Sequence, residues 1–129
     1  MDELIIAATP STPYIHLQST GEMEISGKSI MDAPDEFWTE VKSWFADYLL
    51  HPAATTCFKI QIDYLNTSSS KELLHLLYSL NELAQRGFTA KVEWSFHQGD
   101  RDMQEVGKDY EHMVQVPFEF HLVEEALLN

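Results

Sequence analysis

A run of four hydroxyl side chains, at positions 67–70, directly follows a strand-like stretch of the sequence and its closing asparagine. A serine or threonine at such a strand-to-helix corner can accept a phosphate, which adds about −1.5 to −2 charges. Ser69 and Glu72 have the S-x-x-E spacing of a capping box, so we expect the next helix to begin at Ser69, with Thr67 and Ser68 on the turn before it. Free backbone N–H groups and the positive end of the helix dipole would then favour a phosphate on Thr67.

A simpler interpretation of the same corner is helix capping. Asparagine, serine and threonine are good N-caps, and an ordinary helix start contains one or two of them. Five such residues in succession, Asn66 to Ser70, exceed what capping requires. Both interpretations remain open on the residues alone.

Outside this corner we find no catalytic or metal-binding set. The Gly99–Asp102 stretch resembles a cation loop, but Asp100 is better explained as the N-cap of a helix. The chain has no Gly-rich phosphate loop and no nucleophile elbow. Its histidines are scattered without i, i+4 spacing, so the sequence predicts neither a metal site nor a cofactor. They are His16, His51, His75, His97, His112 and His121.

Charge and composition exclude several classes of protein. Twenty-one acidic residues against eight basic ones give a formal net charge of −13, which disfavours binding to nucleic acid and to anionic membranes. No apolar run approaches the roughly 20 residues of a spanning helix, and the acidic N-terminus does not resemble a signal peptide. The single Cys57 cannot form an intramolecular disulfide. We therefore expect a soluble cytoplasmic protein.

The first half of the chain predicts an extended arm, a hairpin and an aromatic helix. Two proline-containing turns follow the apolar start, so residues 1–13 are expected to form an extended arm. Tyr14–Leu17 and Met23–Ser26 alternate around a Ser-Thr-Gly turn and predict a β-hairpin. A helix should begin at Asp32 or Ala33 and end before the His-Pro pair at positions 51–52.

The second half alternates strands and helices. Phe58–Tyr64 and Thr89–Phe96 alternate as strands around a periodic leucine-rich helix, which predicts a parallel βαβ unit. A third helix follows, weakened by Gly107, and Pro117–Leu122 is predicted as an edge strand. We expect one domain spanning residues 1–129, of α/β class, with a single mixed sheet packed by about three helices.

The corner also resembles a known family. Residues 64–69, Tyr-Leu-Asn-Thr-Ser-Ser, with Lys71 close behind, resemble the signature of the SiaC family of bacterial regulatory phosphoproteins. The Ser-Thr-Pro run at positions 11–13, the aromatic helix around Trp44 and the strand holding Trp94 fall where that family has similar features. The likeness covers nearly the whole chain.

The resemblance implies a STAS-like sandwich, similar to STAS-domain anti-anti-sigma factors, and a partner-switching function without enzymatic activity. A cognate kinase would phosphorylate Thr67 and a PP2C-type phosphatase would remove the phosphate. The unphosphorylated form would bind and activate an output protein such as a diguanylate cyclase, in biofilm and aggregation signalling. Asn66, Thr67, Ser68 and Ser69 would form the partner-binding surface. This chain departs from the family pattern at Ser70, where an apolar residue is usual.

Two other functions remain as alternatives. A STAS-like domain can be a small-ligand sensor, which would need a sizeable, largely apolar pocket between the sheet and the helices. A small enzyme with acidic catalysis would need a cleft with two converging carboxylates. The sequence leaves open the oligomeric state and whether the N-terminal arm binds its own sheet or another chain.

Overall fold

A computed structural model describes residues 2–31 and 35–124, and within these the chain forms one six-stranded sheet and three helices. The elements in chain order are β1 Leu4–Ile6, β2 Tyr14–Leu17, β3 Glu22–Ser29, α1 Asp35–Leu50, β4 Thr55–Leu65, α2 Thr67–Gln85, β5 Thr89–His97, α3 Arg101–Met113 and β6 Phe118–Val123.

The sheet is mixed, and its strands lie side by side in chain order. The pairs β1–β2 and β2–β3 are antiparallel, so the predicted hairpin is confirmed. From β3 onward every pair is parallel, and one helix connects each strand to the next. The parallel βαβ unit of β4, α2 and β5 and the edge position of β6 are confirmed as well.

The N-terminal residues form the extended edge strand β1 and a turn that follows it. Leu4 pairs with Leu17 across the β1–β2 ladder, and the backbone oxygen of Asp2 accepts a hydrogen bond of 2.8 Å from Trp44 Nε1. Thr9 Oγ1 then accepts from the N–H of Thr12 at 2.9 Å and closes the turn that follows. These contacts place the start of the chain on its own sheet, which is one of the two positions that the sequence left open for the arm.

All three helices pack against one face of the sheet. Phe45 of α1 stacks on Phe58 with ring centroids 6.0 Å apart, and Tyr110 of α3 packs edge-on against Trp94 at 5.7 Å. The apolar face of α2 fills the space between, through Leu73, Leu76, Leu77, Leu80 and Leu83, all of them buried. The predicted start of α1 at Asp32 or Ala33 lies outside the described residues. Its end at Leu50 is as predicted.

The other face of the sheet carries no helix in the part of the chain that the structure describes, and we call it the open face. Polar side chains of the inner strands, such as Glu24, Lys59, Glu93 and Ser95, surround a depression on it. This explains why the strands alternate between apolar and polar residues. Across the described residues, none of the helices has the length and apolar character required to cross a membrane.

Candidate functional site

Helix α2 begins two residues earlier than the capping-box spacing predicted. Its N-cap is Asn66, which is in an extended conformation and whose side chain accepts a hydrogen bond of 3.0 Å from the N–H of Ser69. The backbone oxygen of Asn66 accepts from the N–H of Ser70 at 2.9 Å, the first bond of the helix. Thr67 is therefore the first helical residue, and the prediction of a turn at Thr67 and Ser68 with a helix start at Ser69 is wrong.

Ser69 and Glu72 do not form a capping box. Ser69 is 0% exposed, and its hydroxyl has no hydrogen-bond partner within residues 2–31 and 35–124. Glu72 instead forms an ion pair of 3.0 Å with Lys42 of α1. The cap is the Asn66 side chain, which accepts from the N–H of Ser69, whereas a Ser69 cap would have accepted from the N–H of Glu72. Ser69 therefore packs in the interior and does not cap the helix.

Substitutions of Asn66 and of Ser69 should show which of these two side chains caps helix α2. Asn66→Ala removes the cap, and it also removes the bond of 3.0 Å that Asn66 Nδ2 donates to the backbone oxygen of Met31. We expect the free energy of unfolding to fall by about 1–2 kcal/mol. Ser69→Ala should change it by less than about 0.5 kcal/mol, because no described bond of its hydroxyl is lost. Urea denaturation measures both, and a larger loss for Ser69→Ala would contradict the assignment of the cap.

The four predicted partner-binding residues are not equally accessible. Thr67 and Ser68 are exposed, Asn66 is half-buried, and Ser69 is enclosed by the core. Ser70 is half-buried, and its hydroxyl donates to the backbone oxygen of Thr67 at 3.1 Å. The hydroxyls that a modifying enzyme or a partner can reach are therefore those of Thr67 and Ser68.

Thr67 borders a shallow cavity of about 260 Å³ between the start of α2 and the second half of α3. Asp109, Tyr110 and Met113 line its far side. The Tyr110 hydroxyl donates to the backbone oxygen of Ser70 at 2.8 Å and ties the two helices together. Burial raises the pKa of Tyr110 to about 12, so the hydroxyl remains a donor at neutral pH. The wall opposite Thr67 is thus held in place.

A larger cavity of about 660 Å³ adjoins the first one, and the two share Leu65 and Val106. It lies where β3, β4 and β5 end, the edge at which α/β sheets commonly bind their ligands. The residues that line it are Lys28, Asp63, Tyr64, Leu65, His97, Gln98, Asp100, Asp102, Met103 and Val106. We call the two cavities together the carboxyl-edge groove.

The carboxyl-edge groove combines acidic groups with exposed apolar side chains. Tyr64 is 60% exposed and Met113 is 53% exposed, so both present apolar surface to a partner. Asp63 Oδ1 and His97 Nε2 are joined by a hydrogen bond of 2.8 Å. Asp100 caps α3 by accepting from the N–H of Met103 at 3.1 Å, as predicted. Such a mixture suits a protein partner better than an apolar small molecule.

A second cluster, which the sequence did not indicate, lies on the open face. Glu93 of β5 is directly opposite Glu119 of β6, and His121 lies two residues further along β6. Behind them, the Cys57 thiol donates to Glu93 at 2.8 Å. This bond lowers the pKa of Glu93, while burial and the carboxylate raise the pKa of Cys57 to about 12. The only hint in the sequence is the Glu-x-His spacing, which places both side chains on one face of a strand.

Comparison with known proteins gives relatives along almost the whole chain. A family model described as SiaC family regulatory phosphoprotein matches residues 6–123. The structure of SiaC of Pseudomonas aeruginosa has 26% sequence identity and a TM-score of 0.87, over 95% of this chain and 100% of that one. A crystal structure of the diguanylate cyclase SiaD in complex with its activator SiaC, from the same species, matches with 25% identity and a TM-score of 0.85. That match covers 93% of this chain and 99% of the matched chain.

An uncharacterised protein of Pseudomonas aeruginosa strain UCBPP-PA14 is also similar, with 26% identity over 119 residues, 92% of this chain and 94% of that protein. The fold agrees with these comparisons: the α/β class and the single mixed sheet with three helices over the described residues are those of the SiaC structures. Since the family model covers all of the chain except its ends, this protein belongs to the SiaC family of regulatory phosphoproteins.

Proposed function

We propose that this protein is a non-enzymatic partner switch whose state is set by reversible phosphorylation of Thr67. The observation that supports this most directly is the position of Thr67. Its side chain is exposed, it is the first residue of a helix of 19 residues, and it borders the carboxyl-edge groove. Ser69, two residues on, is fully buried.

The helix start favours a phosphate at this position. The N–H groups of the first turn point toward the N-terminus, and only that of Ser69 is taken by the Asn66 side chain. The helix dipole stabilises a negative charge within this turn. Ser68 is exposed too, but it does not border the groove, so a phosphate there would change the groove less.

The phosphate would act on partner binding rather than on the fold. It would place about −1.5 to −2 charges across the cavity from Asp109 and the apolar side chain of Met113. A partner that covers these side chains would have to bury that charge, which costs several kcal/mol unless a matching cation is supplied. The unphosphorylated form is therefore the binding form.

We propose a diguanylate cyclase as the output protein, regulated in biofilm signalling. This rests on the likeness to SiaC of Pseudomonas aeruginosa, which is described as the activator of the diguanylate cyclase SiaD. A dedicated kinase would add the phosphate, and a PP2C-type phosphatase would remove it. Asn66, Thr67 and Ser68 would contribute directly to the contact, and Ser69 would support it from the interior.

Phosphorylation is tested with the cognate kinase and ATP, followed by intact-mass and peptide mass spectrometry. We expect a single phosphate on Thr67, none on Thr67→Ala, and normal incorporation on the control Ser68→Ala. The phosphatase should then restore the original mass. Equal incorporation into Thr67→Ala would overturn the assignment of the acceptor.

The small-ligand sensor has less support from the structure. It requires an apolar pocket between the sheet and the helices, yet this space is filled by buried side chains such as Phe45, Phe58 and Leu77. The cavity of about 660 Å³ is instead part of the carboxyl-edge groove, is open to solvent, and is lined in part by Asp63 and Asp100. We therefore put forward the partner switch alone.

A further inference from the structure

We infer that the open face of the sheet carries a binding site for a divalent transition-metal ion of the Zn²⁺ type, formed by Glu93, Glu119 and His121. The three side chains come from the neighbouring strands β5 and β6 and point to the same face. One ligand atom from each lies within 4.8 Å of the other two. This site is separate from the partner switch, because Thr67 belongs to a helix that packs on the opposite face.

The distances in the cluster are those of metal ligands. His121 Nε2 lies 3.4 Å from Glu93 Oε1 and 3.6 Å from Glu119 Oε1. A well-formed hydrogen bond would be shorter, at about 2.9–3.0 Å. Zn–N and Zn–O bonds of about 2.0–2.2 Å at tetrahedral angles place two ligand atoms about 3.4 Å apart. The spacing of His121 to each carboxylate therefore matches that of two ligands of one ion, and the two carboxylates lie within 4.8 Å of each other.

Both carboxylates are oriented by donors outside the cluster. Glu93 Oε2 accepts from the Cys57 thiol at 2.8 Å, and Glu119 Oε2 accepts from Lys91 Nζ at 3.2 Å. Each carboxylate thus has one oxygen held from behind, and its other oxygen faces His121. Metal-binding carboxylates are commonly fixed in this way by a second layer of hydrogen bonds. Cys57 is 6% exposed and acts here as a donor.

The site holds two carboxylates, and Lys91 is the cation that already pairs with one of them. Glu93 and Glu119 are directly opposite each other on adjacent strands, an arrangement that is unfavourable for like charges. The whole chain has a formal charge of −13. Beside the cluster, a depression of about 300 Å³ leaves room for water to complete the coordination. The imidazole selects zinc-like ions over Ca²⁺ and Mg²⁺, which prefer oxygen ligands alone.

The test is calorimetric titration of ZnCl₂ into chelator-treated protein that carries no polyhistidine tag. We expect one Zn²⁺ per chain, not displaced by an excess of Mg²⁺. His121→Ala and Glu119→Gln should each weaken binding by about tenfold or more. Both side chains are exposed, so these variants should fold, which circular dichroism checks. Thr67→Ala should bind Zn²⁺ like the wild type, whether or not Thr67 is the phosphorylated residue.

His16→Ala is the matched control. His16 also faces carboxylates, Glu3 through a hydrogen bond of 2.8 Å and Glu24 as its cross-strand neighbour, but within the described residues these three do not form a cluster with metal-ligand spacing. We expect its Zn²⁺ affinity to stay within about twofold of the wild type. The proposal is overturned if the wild type takes up no stoichiometric Zn²⁺, if His121→Ala binds as the wild type does, or if His16→Ala is weakened equally.

Discussion

Thr67→Glu should weaken binding of the output protein by about 10- to 100-fold, a change of about 1.4–2.8 kcal/mol. The new carboxylate would lie at the edge of the carboxyl-edge groove, across the cavity from Asp109. A docked partner would have to bury it without a cation in place to receive it. The fold should tolerate the change, because Thr67 is exposed and a negative charge at the first helical residue is favoured by the dipole. We expect the free energy of unfolding to stay within about 1 kcal/mol.

The control for this prediction is His75→Glu, an exposed position on the same helix. It introduces the same side chain about 12 Å further along the helix axis and away from the groove. Affinities come from calorimetry with the purified diguanylate cyclase, and stabilities come from urea denaturation. Protein phosphorylated on Thr67 should bind at least as weakly as Thr67→Glu. The switch is contradicted if the phosphorylated protein binds like the wild type, or if His75→Glu causes an equal loss.

Gly107→Ala should lower the free energy of unfolding by at least about 2 kcal/mol, although the same change in an exposed helix would raise it by about 1 kcal/mol. A methyl group on Gly107 would lie 2.5–2.7 Å from three atoms of the Trp94 indole. The Trp94 indole has little space to move away from this methyl group. It is fully buried between Tyr110 and Phe118, and its Nε1 donates to the backbone oxygen of Met103 at 2.9 Å. Urea denaturation gives both the sign and the size of the effect.

A double-mutant cycle tests the cause of this loss. Trp94→Leu removes Nε1 and Cε2, two of the three indole atoms that the new methyl group would meet, so Gly107→Ala should cost less in the Trp94→Leu background than in the wild type. The expected coupling is about 1 kcal/mol or more, as for side chains in direct contact. An equal cost in both backgrounds would show that the glycine is needed for some other reason.

The sequence by itself determined the order of the three helices and of strands β2 to β6, and the approximate place of each. The alternation in Phe58–Tyr64 and Thr89–Phe96 is a local pattern that depends only on which face of a strand is buried, and both strands have their predicted places. The Asp100 cap was predictable for the same reason, because a cap forms between residues three apart. The net charge and the exposed hydroxyl of Thr67 at the corner also followed from the residues alone.

Only the tertiary structure decided what each side chain does once these elements have packed. Packing buries Ser69 and leaves Asn66 to cap the helix, although both types are good caps in isolation. Gly107 looked like a weak point of its helix, yet its missing side chain makes room for Trp94. The pairing of β5 with β6 brings Glu93 within reach of His121, although they are far apart in sequence. These outcomes depend on contacts between distant segments, to which local patterns are insensitive.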